Sequence, residues 1–219
     1  MVNCNGGSAQ NTHYEVAKHY DIPMISYRDT VWPEIEAGRI EWSCVSNDNI
    51  HPDDTGHAIV AQIVTDFLES LSESSIKDEK DIYPIEPLTN NDFRNADIYY
   101  VDDIVPISYG CFKRERVDLN KIPYGFVASE NGEPLKFNFN NCRRIYLLFE
   151  KTNKGNGGKA LVQAGEKEVE LDADFKDGWG VYYNNACVFE SAVPTEVTLS
   201  IIPQLEDGKH FAVAGIMVS

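Results

Sequence analysis

Basic charge is what this chain has least of. Its 19 lysines and arginines stand against 35 aspartates and glutamates, a net charge of −16. Proteins that grip nucleic acid neutralise phosphates with Lys and Arg, so this balance excludes a nucleic-acid partner. It suits neutral partners, uncharged glycans among them. Long apolar runs are also missing: none approaches the roughly 20 residues that span a bilayer, which speaks against a membrane partner. Cysteine is sparse and ill-spaced. Cys4, Cys44, Cys111, Cys142 and Cys187 make an odd number with no CxxC pair, which excludes a zinc site and a dense disulfide framework. The five read as mostly buried small apolar side chains, with one disulfide in the second half left open. The opening MVNCNGGSAQ lacks the basic segment and apolar core of a signal peptide. It reads as the end of a strand entering a loop, as in a chain cut from something longer, and leaves the compartment unassigned.

What is present is enough for a folded core. Hydrophobic residues make up 42% of the chain and aromatics 11%, ordinary values for a folded protein. To about residue 72 the pattern alternates helix and strand. Gln10 to Tyr20 is helical in character, and Asp21-Ile22-Pro23 breaks it. Ile22 to Tyr27 is a short apolar run that fits a buried strand. Thr30 to Ala37 makes a short helix with Gly38 as its stop. After a polar loop, Ser43 to Asp54, a helix runs from Thr55 to Leu71. There Ile59, Ile63, Phe67 and Leu71 fall on one stripe, with Val60, Val64 and Leu68 beside it, wide enough to cover a sheet. Asp53, Asp54 and Thr55 offer its N-cap. Residues 73–90, polar and then proline-bearing, read as a linker.

From residue 91 the period changes to two. Leu135–Phe139, Arg144–Phe149, Ala160–Gln163, Val169–Leu171, Cys187–Phe189, Val197–Ile202 and Phe211–Val218 read as short strands separated by Gly, Asn and Asp turns. Many short strands at regular spacing predict an all-β sandwich, jelly-roll-like, over 91–219. The first segment is short of strands: one strand and three helices leave most of an α/β sheet unaccounted for, because a parallel strand needs neighbours on both edges. The expectation is a partial domain with an apolar face exposed, one that favours a homodimer or a missing N-terminal portion.

The stretch that carries chemistry is Asp48-Asn49-Ile50-His51-Pro52, followed by Gly56-His57. An Asp and a His three positions apart, on a loop entering a helix, can fold together. The carboxylate then fixes the imidazole tautomer and stabilises the imidazolium that forms when His takes a proton. Pro52 biases His51 towards an extended backbone, so the ring projects from the loop.

This block resembles the last conserved block of the SGNH hydrolases, the GDSL-like lipases and esterases. That block is DxxH, often DxxHP, with a Gly-His pair opening the final helix. Asp48, His51, Pro52, Gly56 and His57 stand at those places, and Tyr14 to Asp29 resembles the helix and strand before it. The resemblance covers residues 1–72. It implies a flavodoxin-like α/β/α fold and ester hydrolysis, commonly of acyl groups on carbohydrates, with His51 as general base and Asp48 as its orienting partner. It would set the protein among secreted or extracytoplasmic polysaccharide-degrading enzymes. The departure is large: the family's Gly-Asp-Ser nucleophile block and its oxyanion-hole blocks are absent. Gly6-Gly7-Ser8 does not replace them, because no strand and turn precede it. Loss of triad members costs on the order of a million-fold in turnover, so the chain alone is expected to be inactive or nearly so.

Other residues admit two readings each. Trp179, Tyr182 and Tyr183 could offer flat faces to sugar rings, or be alternating sandwich core. Trp42 and Trp32 flank the catalytic loop and could line its cleft. Asp172, Asp174 and Asp177 bring hard oxygen donors together, but lack the turn glycine and distal Glu of a calcium loop, and an acidic turn is favoured. His57 is expected to pack on its helix, His13 and His19 to be solvated, and His210 to sit in a turn. No metal and no cofactor are expected. The leading reading is therefore the C-terminal part of a serine-dependent carbohydrate esterase acting on an acylated glycan, with a glycan-binding module or a structural accessory domain as the alternatives.

Overall fold

A computed structural model describes residues 2–72, 85–90, 93–119 and 121–219. The chain divides into two compact units, Met1–Asn90 and Asn91–Ser219. Most of the expected linker, residues 73–84, lies outside the described residues.

The first unit is helical. Helix α1 spans Gln10–His19 and carries Lys18 and His19 in its last turn, where cations complement the helix dipole. Helix α2 spans Tyr27–Glu36; the Ser26 hydroxyl caps it by accepting from the Asp29 N–H, and Asp29 sits in its first turn. Gly38 then leaves the helix with a φ of +69°, as a C-terminal glycine does. A single 3₁₀ turn, Trp42–Cys44, leads to the loop before helix α3, Asp54–Ser72. Asp53 caps α3, its side chain accepting from the Gly56 N–H at 3.0 Å. The strand expected at Ile22–Tyr27 is not formed: Ile22 to Ser26 is irregular, and Tyr27 already belongs to α2. An apolar run becomes a strand only when neighbours complete its hydrogen bonds, and no named strand lies among the described residues of this unit. The α3 stripe is correspondingly uncovered. Ile59, Ile63, Phe67 and Leu71 are half-buried, while Val64 and Leu68 are exposed. No described helix is long and apolar enough to cross a membrane.

The second unit is all β. Its strands are β1 Asp97–Tyr100, β2 Lys113–Leu119, β3 Ile122–Ala128, β4 Leu135–Thr152, β5 Lys159–Ala164, β6 Lys167–Asp172, β7 Val181–Gln204 and β8 Phe211–Val218. They form one antiparallel sheet in the order β2-β3-β8-β4-β7-β5-β6, and β1 joins the far end of β8. The expected all-β sandwich takes the form of one curled sheet that encloses a shared core. The reason lies in β4 and β7, which pair from Leu135↔Ile201 to Thr152↔Val181 with register shifts near Phe139, Cys142 and Ile145. Bulges bend a strand and sharpen its twist without ending it. The polar Asn140-Asn141, which reads as a turn, is part of such a bend, with Asn141 at φ +58°. The segments 135–139 and 144–149 are therefore one strand, as are 187–189 and 197–202. Strands from opposite ends of the sheet share one core: Phe126 from β3 and Leu171 from β6 belong to the same buried set as Phe137, Ile145, Leu147, Leu199, Ile201 and Phe211. Phe149 stacks on Phe211 with ring centroids 5.6 Å apart. On the other face Val117, Leu119, Ile122, Val127, Leu148, Ala212 and Ala214 form a second, smaller core.

All five cysteines are free, and only Cys142 is buried; Cys44 and Cys187 are exposed. The expectation of mostly buried thiols fails because these two sit on a loop turn and on an outward position of β7, and the disulfide left open does not form.

Candidate functional site

The loop between the 3₁₀ turn and α3 is held by its own polar groups. Ser46 is buried, and its hydroxyl lies 2.9 Å from the Asp48 carbonyl and 2.7 Å from that of His51. Ser46 and Pro52 form an isolated antiparallel bridge. The Trp42 indole N–H donates to the Asp48 carbonyl at 2.6 Å, and the Asp53 N–H donates to the Val45 carbonyl at 3.0 Å. The loop is thereby closed on both sides of the DxxH segment. Gly56 lets α3 approach: a Cβ there would lie 2.2 Å from the Val45 carbonyl oxygen and 2.7 Å from Pro52 Cβ.

Within this frame Asp48 does three things at once. Its Oδ1 accepts from the backbone N–H of Ile50 and of His51, each at 2.7 Å. Its Oδ2 lies 2.8 Å from His51 Nδ1. Those two backbone N–H groups first, then the imidazole, hold the carboxyl down to about 2. An ionised carboxylate can only accept, so Nδ1 carries the proton and Nε2 presents its lone pair. The His51 side chain is 81% exposed, and Nε2 has no hydrogen-bond partner among the described residues. This geometry orients a base towards solvent. The Ser8 hydroxyl accepts from the Gln10 N–H and from Arg28, both at 3.3 Å, at the start of α1.

The remaining candidates fall into separate groups. Trp42 is half-buried, with its N–H used by the loop. Trp179, 81% exposed, meets Tyr182 edge-on at 5.2 Å, and Phe175 completes the set at 6.1 and 6.2 Å. These rings are not sandwich core. Tyr183 points to the other side of β7, as alternation requires. Asp172 is used locally, its Oδ1 accepting from the Asp174 N–H at 2.8 Å. Among the described residues no three His, Cys, Asp or Glu side chains gather to hold a metal ion. His57 is exposed on α3 instead of packing along it, because its position on the helix points away from the half-buried stripe. His19 is half-buried, with Nε2 2.6 Å from the Glu86 carbonyl. His210 is not idle in its turn: Nε2 lies 2.8 Å from Glu150 Oε1. Sequence reasoning missed that pair, since Glu150 directly after Leu147-Leu148-Phe149 gives no sign of a partner 60 positions away.

No protein-family model matches this chain, and no curated protein is similar to it. Its likeness is to solved structures. A two-domain esterase (CEX) active on acetylated mannans superposes with a TM-score of 0.83 at 27% identity, covering 98% of this chain and 60% of that one. The same esterase co-crystallized with mannopentaose gives a TM-score of 0.80 at 26% identity over the same shares. This chain thus has the fold of part of a two-domain esterase and spans three-fifths of that protein's length.

Proposed function

We propose that this chain is the acid–base portion of a serine-dependent carbohydrate esterase of the SGNH type, with residues 1–72 contributing Asp48 and His51 and residues 91–219 forming an accessory β domain. The observation that carries the reading is the 2.8 Å contact between Asp48 Oδ2 and His51 Nδ1, on an exposed imidazole whose other nitrogen is open. Such a base takes the proton of an attacking alcohol, returns it to the leaving group, and is stabilised as imidazolium by the carboxylate behind it. The likeness to an esterase active on acetylated mannans supports acyl groups on a neutral glycan as the substrate class. The alcohol and the oxyanion donors come from elsewhere: a further N-terminal portion or a second chain seated against the uncovered apolar stripe of α3. The 219-residue chain by itself is expected to hydrolyse p-nitrophenyl acetate no faster than a His51→Ala variant. Robust turnover that His51→Ala abolishes would show that a nucleophile is present after all.

A second reading, a glycan-binding β module, is favoured by one observation: Trp179 is 81% exposed beside Tyr182. An exposed indole presents a flat apolar face to sugar C–H groups. Retardation in mannan or xylan gels should be lost on Trp179→Ala if this surface binds; retardation that survives the change, or none at all, sinks it.

A further inference from the structure

A buried carboxylate sits where the fold does not require one. Glu150 is 6% exposed and follows Leu147-Leu148-Phe149 on β4. Burying a carboxylate costs free energy unless its oxygens are used, and a sheet built for packing alone would place an aliphatic side chain there. One oxygen faces His210 Nε2 at 2.8 Å. His210 is itself strapped to the neighbouring turn, donating its N–H to the Asn156 carbonyl at 3.0 Å and accepting from the Gly158 N–H at 2.8 Å. Beside Glu150 lies Thr152, 1% exposed, whose hydroxyl is 3.3 Å from Asn156 Oδ1 and accepts from the Lys154 N–H at 3.1 Å. The turn is therefore fixed by the same polar groups that floor a cavity of about 300 Å³, within the lower range of ligand sites. Val117, Val127 and Val181 give that cavity an apolar wall; Glu115, Arg116 and Lys154 bring charge of both signs to it.

We propose that this cavity is a binding site for a neutral pyranose ring, with Glu150 accepting from vicinal hydroxyls, the Lys154 and Asn156 side chains donating to the ring and hydroxyl oxygens, and the valine wall meeting the C–H face. The chemistry selects this class. A polyol needs acceptors and donors interleaved at short range over an apolar surface. A simple anion would meet the Glu115 and Glu150 carboxylates as well as Arg116 and Lys154, and a purely apolar ligand would set hydrocarbon against the polar floor of Glu150, Thr152 and Asn156. The inference stands on the β unit alone and goes beyond ester hydrolysis, so it survives or fails whatever becomes of Asp48 and His51.

The test is a titration of the full chain with methyl α-D-mannopyranoside and, separately, with D-glucuronate, followed by NMR shifts of the His210 ring. The neutral glycoside should bind and move those signals. Glu150→Gln should weaken it about tenfold or more, the effect of losing a hydrogen bond to a charged group, and Lys154→Ala should weaken it as well. Should Glu150→Gln fail to fold, Lys154→Ala and His210→Asn decide the matter. Three results would overturn the proposal: no shift of the His210 signals, binding of glucuronate alone, or affinity that Trp179→Ala removes while the cavity variants keep it.

Discussion

At the scale of single residues, Asp48 is the side chain whose environment is most specific. Its carboxyl is held down to about 2 from an ordinary 3.8, first by the backbone N–H groups of Ile50 and His51 and then by the imidazole. A folded-state value below the unfolded one means that the stabilisation is complete above the ordinary carboxylate range and lost as pH falls through about 2. An NMR titration of the Asp48 carboxyl carbon should therefore show a midpoint near 2, well below the ordinary 3.8. Asp48→Asn should release the His51 ring from its single tautomer near neutral pH, visible in the imidazole nitrogen shifts. A midpoint near 3.8 would mean that the loop is open in solution. This pair was legible because both partners lie three residues apart in one loop. Glu150 and His210 were not, because 60 positions separate them and only the pairing of strands brings them together.

At the scale of elements, Gly56 decides how α3 meets the loop. A Cβ at 56 would fall 2.2 Å from the backbone oxygen of Val45, which has no side-chain freedom with which to yield. Gly56→Ala should cost about 1–3 kcal/mol, the range for forced overpacking, read as a fall in the thermal midpoint. It should also broaden the His51 imidazole signals, since the helix start and the loop would have to separate. The helices themselves were readable to within a few residues, because Asp21-Ile22-Pro23, Gly38 and Asp53 mark ends in the sequence; Ser26, the cap of α2, lies inside the run read as a strand. The strand at Ile22 was misread for the opposite reason: an apolar run states that it is to be buried, not which neighbours it will have. The short strand β2 escaped notice because it opens on four consecutive charged residues, Lys113 to Arg116. The long strands β4 and β7 were each cut in two because a bulge and a turn use the same polar residues.

At the scale of the whole molecule, apolar burial is unequal. Among the described residues of Met1–Asn90, the buried hydrophobic side chains are Val2, Val31 and Val45, whereas more than thirty others lie in the β unit. Local stability follows local burial, so amides of α1, α2 and α3 should exchange with solvent orders of magnitude faster than those of β4, β7 and β8. Equal protection in both units would show that the helical one finds cover in solution. The β unit draws its order from partners far apart along the chain. β8, the last strand of the unit, lies in the interior of the sheet, with β4 on one edge and both β3 and β1 on the other. A ribosome releasing this unit exposes β2 through β7 before the piece that joins β3 to β4 exists. Native closure must therefore wait for translation past residue 218, and until then the aliphatic edges of β3 and β4 are open to chaperones and to other nascent chains.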